Sequence, residues 1–306
     1  MKNIQCILLA FVLMLAVSSC DQYLDVELPG QEPKLVVNGI LENRDTIKVS
    51  LTQSRSVLEG DEYDSFDQIK NGNVFIKTGA GETFPLVFIE DDNPYDPSSY
   101  YFLIGHDFAP NERYEIFAES QDLEPVSGQV IFPSDVPIKE ISYISLGSSE
   151  SNENYDLVEF TVKFEDSTAQ NFYQLDGTIY GTSTLYENSF YSSQLYPQPV
   201  NPAYEKDYGW GSGFGILFSD VLLRGENAEM VFRTTLPRDY DLEVTINLSN
   251  VSESYFRYYD SANLQTYNEG DILSQPVLVY NNIQNGLGVF AAKNAAQEVI
   301  SITLED

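Results

Sequence analysis

The chain has 306 residues, with 47 acidic and 16 basic side chains, one histidine and a formal charge of −31. That balance argues against nucleic acid, whose phosphates need clusters of Lys and Arg, and against electrostatic docking on anionic lipid. It fits an acidic, colloidally stable surface.

The N-terminus comes first. Met1-Lys2-Asn3 is followed by an apolar run over 6–17 and then by Ser18, Ser19 and Cys20. A positive start, a short apolar core and small residues before a cut describe a secretory signal. The run is shorter than the about 20 residues that spanning requires. Cysteine directly after Val17-Ser18-Ser19 makes it a bacterial lipobox, so 1–19 is expected to be a lipoprotein signal peptide. Cys20 is expected to carry diacylglycerol through a thioether, and two or more acyl chains anchor stably. Cys6 then leaves with the signal and Cys20 is occupied, so no disulfide is expected despite export. Stability must come from packing, for which 21 Tyr and 18 Phe are available.

Residues 20–33 are polar, contain Pro29 and Gly30, and read as a tether. From Lys34 the pattern has period two. Ile47, Val49 and Leu51 alternate with polar residues, as do Tyr114, Ile116 and Ala118. Pro133 and Pro137 bracket the turn residues Ser134 and Asp135, which sets a boundary between domains at 34–135 and 136–306. In the second, Val158, Phe160, Val162 and Phe164 alternate, then Leu242, Val244, Ile246 and Leu248, and last Ile300, Ile302 and Leu304. A helix is predicted over 252–265, with Asn250 as cap and Glu253 three residues later. Its Tyr255, Phe256 and Tyr259 would pack it on the second sheet. Asn285-Gly286-Leu287-Gly288 reads as a tight turn sending Leu287, Val289 and Phe290 into the core. The fold class is mainly β, in two domains, with one substantial helix.

Several stretches resemble a family of exported Bacteroidota lipoproteins, the domain of unknown function 4249. They are Pro33-Lys34-Leu35-Val36-Val37-Asn38-Gly39-Ile40 with Val49 to Ser54, Phe218 to Gly225, Tyr255 to Tyr259, Gln275-Pro276-Val277, and Asn281 to Ala291. The resemblance implies an N-terminal immunoglobulin-like β-sandwich followed by a larger β-sandwich or barrel-like domain. It also implies an accessory role beside an outer-membrane TonB-dependent transporter. It brings no catalytic residues and no cofactor.

Little in the chain suggests chemistry. His106, the one imidazole, reads as a surface residue, and no G-x-S-x-G elbow accompanies it. One histidine without a free cysteine cannot fill a zinc shell. Glu90-Asp91-Asp92-Asn93-Pro94-Tyr95-Asp96, and Asp61, Glu62, Asp64 and Asp67, lack EF-hand spacing and read as solvated acidic loops. Gly209-Trp210-Gly211-Ser212-Gly213-Phe214-Gly215 lacks dinucleotide-binding spacing. It closes a long segment rich in aromatics and prolines, and such loops are often functional. Tyr191, Tyr196, Tyr204, Tyr208, Trp210 and Phe214 are its candidate ligand- or partner-binding residues; the bland alternative is that they cover an end of the second domain. The expected function is therefore capture, as a lipid-anchored outer-membrane protein beside a transporter. A structural or adhesive surface lipoprotein is the alternative.

Overall fold

The computed structural model describes residues 32–43, 47–55, 68–90, 100–167, 169–206, 215–223, 228–268 and 274–304. The first half contains β1 (Leu35–Glu42), β2 (Ile47–Gln53), β3 (Asn73–Thr78), β4 (Thr83–Pro85), β5 (Val87–Ile89), β6 (Tyr100–Leu103), β7 (Arg113–Ser120) and β8 (Leu123–Ile131). The second contains β9 (Ile138–Ser149), β10 (Asn152–Phe164), β11 (Phe172–Ser183), β12 (Phe190–Gln194), β13 (Gln198–Pro199), β14 (Ile216–Ser219), β15 (Ala228–Pro237) and β16 (Tyr240–Val251). Helix α1 (Glu253–Asn268), β17 (Ile283–Gln284) and β18 (Leu287–Ile302) close the chain.

These strands make a sandwich-like, mainly β protein. A nine-stranded sheet runs β12-β11-β16-β18-β1-β2-β6-β5, with β14 also on β11. A four-stranded sheet, β13-β15-β10-β9, and a five-stranded sheet, β17-β8-β7-β3-β4, complete the layers. The alternating residues meet between them. Val158, Phe160, Val162 and Phe164 are buried with Leu242, Val244, Ile246 and Leu248 in one core. Leu35, Val37, Ile47, Val49, Leu51, Tyr114, Ile116 and Ala118 form another. Period-two apolar patterning places one face of each strand inside and leaves the other polar.

The last strand belongs to both cores. β18 is sixteen residues long, pairs antiparallel with β16 from Val251↔Lys293 to Leu242↔Ile302, and pairs parallel with β1 from Val36↔Leu287 to Glu42↔Lys293. Its even-numbered side chains point to one face: Phe290 and Ala292 enter the first core, and Ile302 enters the second. Ile283 of β17 joins the first core as well. Residues late in the chain thus complete the packing of the earliest strands.

The turn into β18 forms as predicted, with one difference. Asn285 has φ 61° and Gly288 φ 111°, a region that suits glycine. A Cβ on Gly288 would sit 2.1 Å from the Val37 carbonyl oxygen. The Asn38 side chain accepts the Val289 N–H at 3.2 Å beside this irregularity. Val289 and Phe290 are buried, but Leu287 is 41% exposed. The kink at Gly288 turns Leu287 out of the core.

Helix α1 lies on the opposite face of the nine-stranded sheet. Tyr255 packs with Leu217, Val251, Val289 and Ala291, flanked by Ile40, Phe172, Phe256, Tyr258 and Tyr259. Its cap is Ser252 rather than Asn250. The Ser252 hydroxyl accepts the Tyr255 N–H at 3.2 Å, the bond expected of an N-cap side chain with the third helical residue. Asn250 lies inside β16 and its amide is engaged elsewhere.

Candidate binding surface

The aromatic segment 186–206 divides into rings that build and rings that are presented. Tyr191, on β12, is half-buried with its ring 5.6 Å from Tyr240 and packs against the second core. Its hydroxyl pairs with that of Tyr155, whose pKa is raised first by burial and then by Tyr191 and Tyr240. Tyr204 ends a 3-10 turn at Pro202–Tyr204, whose Asn201 cap accepts the Ala203 N–H at 3.0 Å. It is buried, 5.4 Å from the Phe218 ring. Burial raises its pKa first, then the carboxylates of Asp166 and Asp220. Tyr196 is 62% exposed. Tyr208, Trp210 and Phe214 lie outside the described residues.

The exposed rings extend along the β11–β12 hairpin. Tyr186 is 70% exposed and Phe190 59%, with Leu185 and Tyr180 also at the surface. Phe190 stacks on Tyr180 at 6.0 Å. The hairpin tip is held tightly: Ser183 Oγ accepts the N–H groups of Leu185 and Tyr186 at 3.2 Å each, and Asn188 adopts φ 59°. Such a serine turn supplies local bonds in place of a ladder. The Thr184 N–H also donates to Asp239 O at 2.9 Å. Sequence reading singled out neither Tyr180 nor Leu185. The available signal was Ser183 followed by Glu187-Asn188-Ser189, turn-forming residues on either side of Leu185 and Tyr186.

A cleft of about 490 Å³ is lined by Val200, Asn201, Tyr204, Leu222, Glu229 and Met230. Its walls mix apolar side chains with Asn201 and Glu229, and Leu222 is half exposed.

Two buried phenols serve as hydrogen-bond donors. Tyr173 donates to Asp166 at 2.7 Å, and burial first, then Asp166, raises its pKa far above the usual range. Tyr255 donates to Gln174 at 2.7 Å and is likewise raised, mainly by burial. Phenols held protonated in this way donate hydrogen bonds and do not serve as bases near neutrality. Among the described residues no group of three or more His, Cys, Asp or Glu is placed to hold a metal. The acidic loops lie outside the described residues except Glu90, which pairs with Lys70.

His106 departs from expectation. Its ring is 4.2 Å from Phe84 and 4.7 Å from Phe108, and it is half-buried rather than on the surface. Gly105, at φ 74°, turns the chain just before it. The aromatic cluster beside the first core then takes the imidazole as one more ring.

The sequence profile described as Domain of unknown function (DUF4249) matches residues 21–298. The chain belongs to that family. No characterised protein matches it. The DUF4249 match spans both cores, helix α1 and most of β18. Three stretches that carry the resemblance converge in space: β1, Tyr255 to Tyr259 of α1, and Asn281 to Ala291 meet where the helix crosses β1 and β18. Among the described residues no helix is long and apolar enough to cross a membrane.

Proposed function

We propose that this DUF4249 chain is a lipid-anchored outer-membrane binding protein of the Bacteroidota, accessory to a TonB-dependent transporter in nutrient uptake. The anchor is the acylated thiol of Cys20, supported by the lipobox Val17-Ser18-Ser19-Cys20. The observation that carries the binding role is the hairpin displaying Leu185, Tyr186 and Phe190 at its tip, with Tyr196 exposed past the other end of β12. Aromatic side chains bury large area at small entropic cost and anchor interfaces. The mechanism is capture by a preformed surface on a rigid sheet, without chemistry.

The test uses point changes, since Leu195 and Tyr204 within the same segment are core residues. Tyr186→Ser, Phe190→Ser and Tyr196→Ser combined should abolish recovery of a barrel partner from detergent-solubilised membranes while leaving the melting temperature unchanged. Equal recovery by the triple variant removes this surface from the reading. Absence of any stoichiometric barrel partner with the unaltered chain favours an adhesive role instead. Cys20→Ser should release the protein from the membrane fraction, and retention would end the anchor.

A further inference from the structure

A second concavity lies on the other face of the sheet, where α1 crosses β1. It encloses about 400 Å³ and is lined by Asn38, Ile40, Glu42, Lys48, Tyr100, Tyr258 and Tyr259. Alternation along β1 sends Leu35, Val37 and Leu41 into the first core, so Asn38, Ile40 and Glu42 must face outward toward the helix. β2 adds Lys48 and β6 adds Tyr100. Consecutive tyrosines on α1 form the wall, their rings 5.4 Å apart and at 84° to each other.

The lining combines three phenols, one amide, one carboxylate and one ammonium. Glu42 and Lys48 have opposite formal charges, so the groove is close to neutral inside a chain of −31. The surrounding field disfavours an anion, and exposed Lys48 in the lining disfavours a simple cation. A neutral ligand rich in hydroxyls suits this lining: its C–H surfaces rest against the rings, and its O–H groups meet one carboxylate and one ammonium, which form the stronger class of hydrogen bond. The volume falls in the range of small-molecule sites. We infer that this groove between α1 and β1 is a binding site for a neutral mono- or disaccharide. The inference is independent of the hairpin surface, which lies elsewhere on the molecule's second half.

Calorimetric titration of the full chain against glucose, mannose, galactose, N-acetylglucosamine and their common disaccharides tests it, with glycine and glutamine as zwitterionic controls. At least one neutral sugar should bind, and Tyr100→Ala and Tyr258→Ala should each weaken it about tenfold, the loss of one good contact. Lys48→Met, at an exposed position, should do the same without altering the melting temperature, and it covers the case in which a tyrosine variant unfolds. Binding of none of the sugars overturns the inference. So does sugar binding that survives all three changes, or binding of glycine or glutamine in preference to sugars. Tyr258→Ala should still recover a membrane partner, which separates this outcome from failure of the hairpin surface.

Discussion

Asn250 on β16 and Asn294 on β18 stand opposite each other in register, and both amides reach the segment that joins the two cores. Asn250 donates to the Ser134 carbonyl and hydroxyl oxygens at 3.1 Å each. Asn294 donates to the Pro133 carbonyl at 3.0 Å and to Asp135 Oδ1 at 2.8 Å. Both asparagines are buried. A segment punctuated by prolines leaves carbonyls without ladder partners, and buried carbonyls need donors. The pair supplies them.

Replacing Asn294 by Leu should therefore cost more than its own hydrogen bonds. It strands the buried Pro133 carbonyl, at roughly 1–3 kcal/mol for a buried group left unpaired, while the exposed Asp135 carboxylate turns to water. Urea denaturation should show a lowered midpoint with an unchanged slope. A double variant with Asn250→Ala should lose less than the sum of the two single changes, because both hold the same segment. Strict additivity would argue against a shared clamp.

The first core should not survive without the end of the chain. Ile283, Phe290 and Ala292 all belong to it. Phe290→Ala should destabilise by roughly 3–5 kcal/mol, the usual cost of emptying a buried phenylalanine site. A fragment covering 33–135 should show dispersed NMR resonances only when a β17–β18 peptide is added. A well-folded isolated fragment would disprove the dependence.

Two glycines with similar backbone angles should respond very differently to alanine. Gly288 has φ 111° and a Cβ there would lie 2.1 Å from Val37 O, whereas Gly81 has φ 92° and open space around it. Gly81→Ala should cost only conformational strain, of order 1–3 kcal/mol. Gly288→Ala must also push β1 away from β18, so it should fail to accumulate or unfold at much lower denaturant. Similar midpoints for the two variants would show that close approach is not the constraint.

Asp156 and Arg238 should be unequal partners under substitution. Asp156 is buried, accepts from Arg238 Nε at 2.6 Å and from Ser145 Oγ at 2.9 Å, while Arg238 is partly exposed. Arg238→Ala leaves a buried carboxylate without its counter-charge and with only the Ser145 hydroxyl, a loss that typically costs about 3–5 kcal/mol. Asp156→Asn removes the charge that needed compensation and should cost less. Thermal melts of both variants decide it.

Alkali should unfold the protein through its tyrosines. Burial, then Tyr258 and Glu42, push Tyr259 up to about 12 from 10.0, and burial also raises Tyr255 well above its ordinary value. These phenols are protonated in both states below pH 10. Above it the unfolded chain loses protons that the folded chain keeps, so stability falls as pH rises toward 12. Tyr259→Phe should make that fall shallower. An unchanged dependence of stability on pH between 10 and 12 in Tyr259→Phe would contradict the burial of this group.

Local pattern was legible wherever a residue's fate depends on its immediate neighbours. The alternating sets 158–164 and 242–248 are buried, and α1 forms where its apolar spacing and first-turn acid predicted. The cap moved two residues because Asn250 is held by Ser134, a contact 116 residues distant. Tyr204 looks like any loop aromatic among prolines, yet its turn folds back onto Phe218. His106 is set by rings from three other positions, none of them adjacent in the chain.

The amino-acid order by itself determined the strands, their buried faces, the late helix and the tight turn at Asn285, since each follows from spacing over a few residues. Only the tertiary structure decided that β18 lies parallel to β1, that it fills both cores, and that a tyrosine-lined groove opens between α1 and β1. Pairing Val36 with Leu287 joins segments about 250 residues apart. No local energy selects that register; it emerges when the sheets close and each apolar face finds its cover.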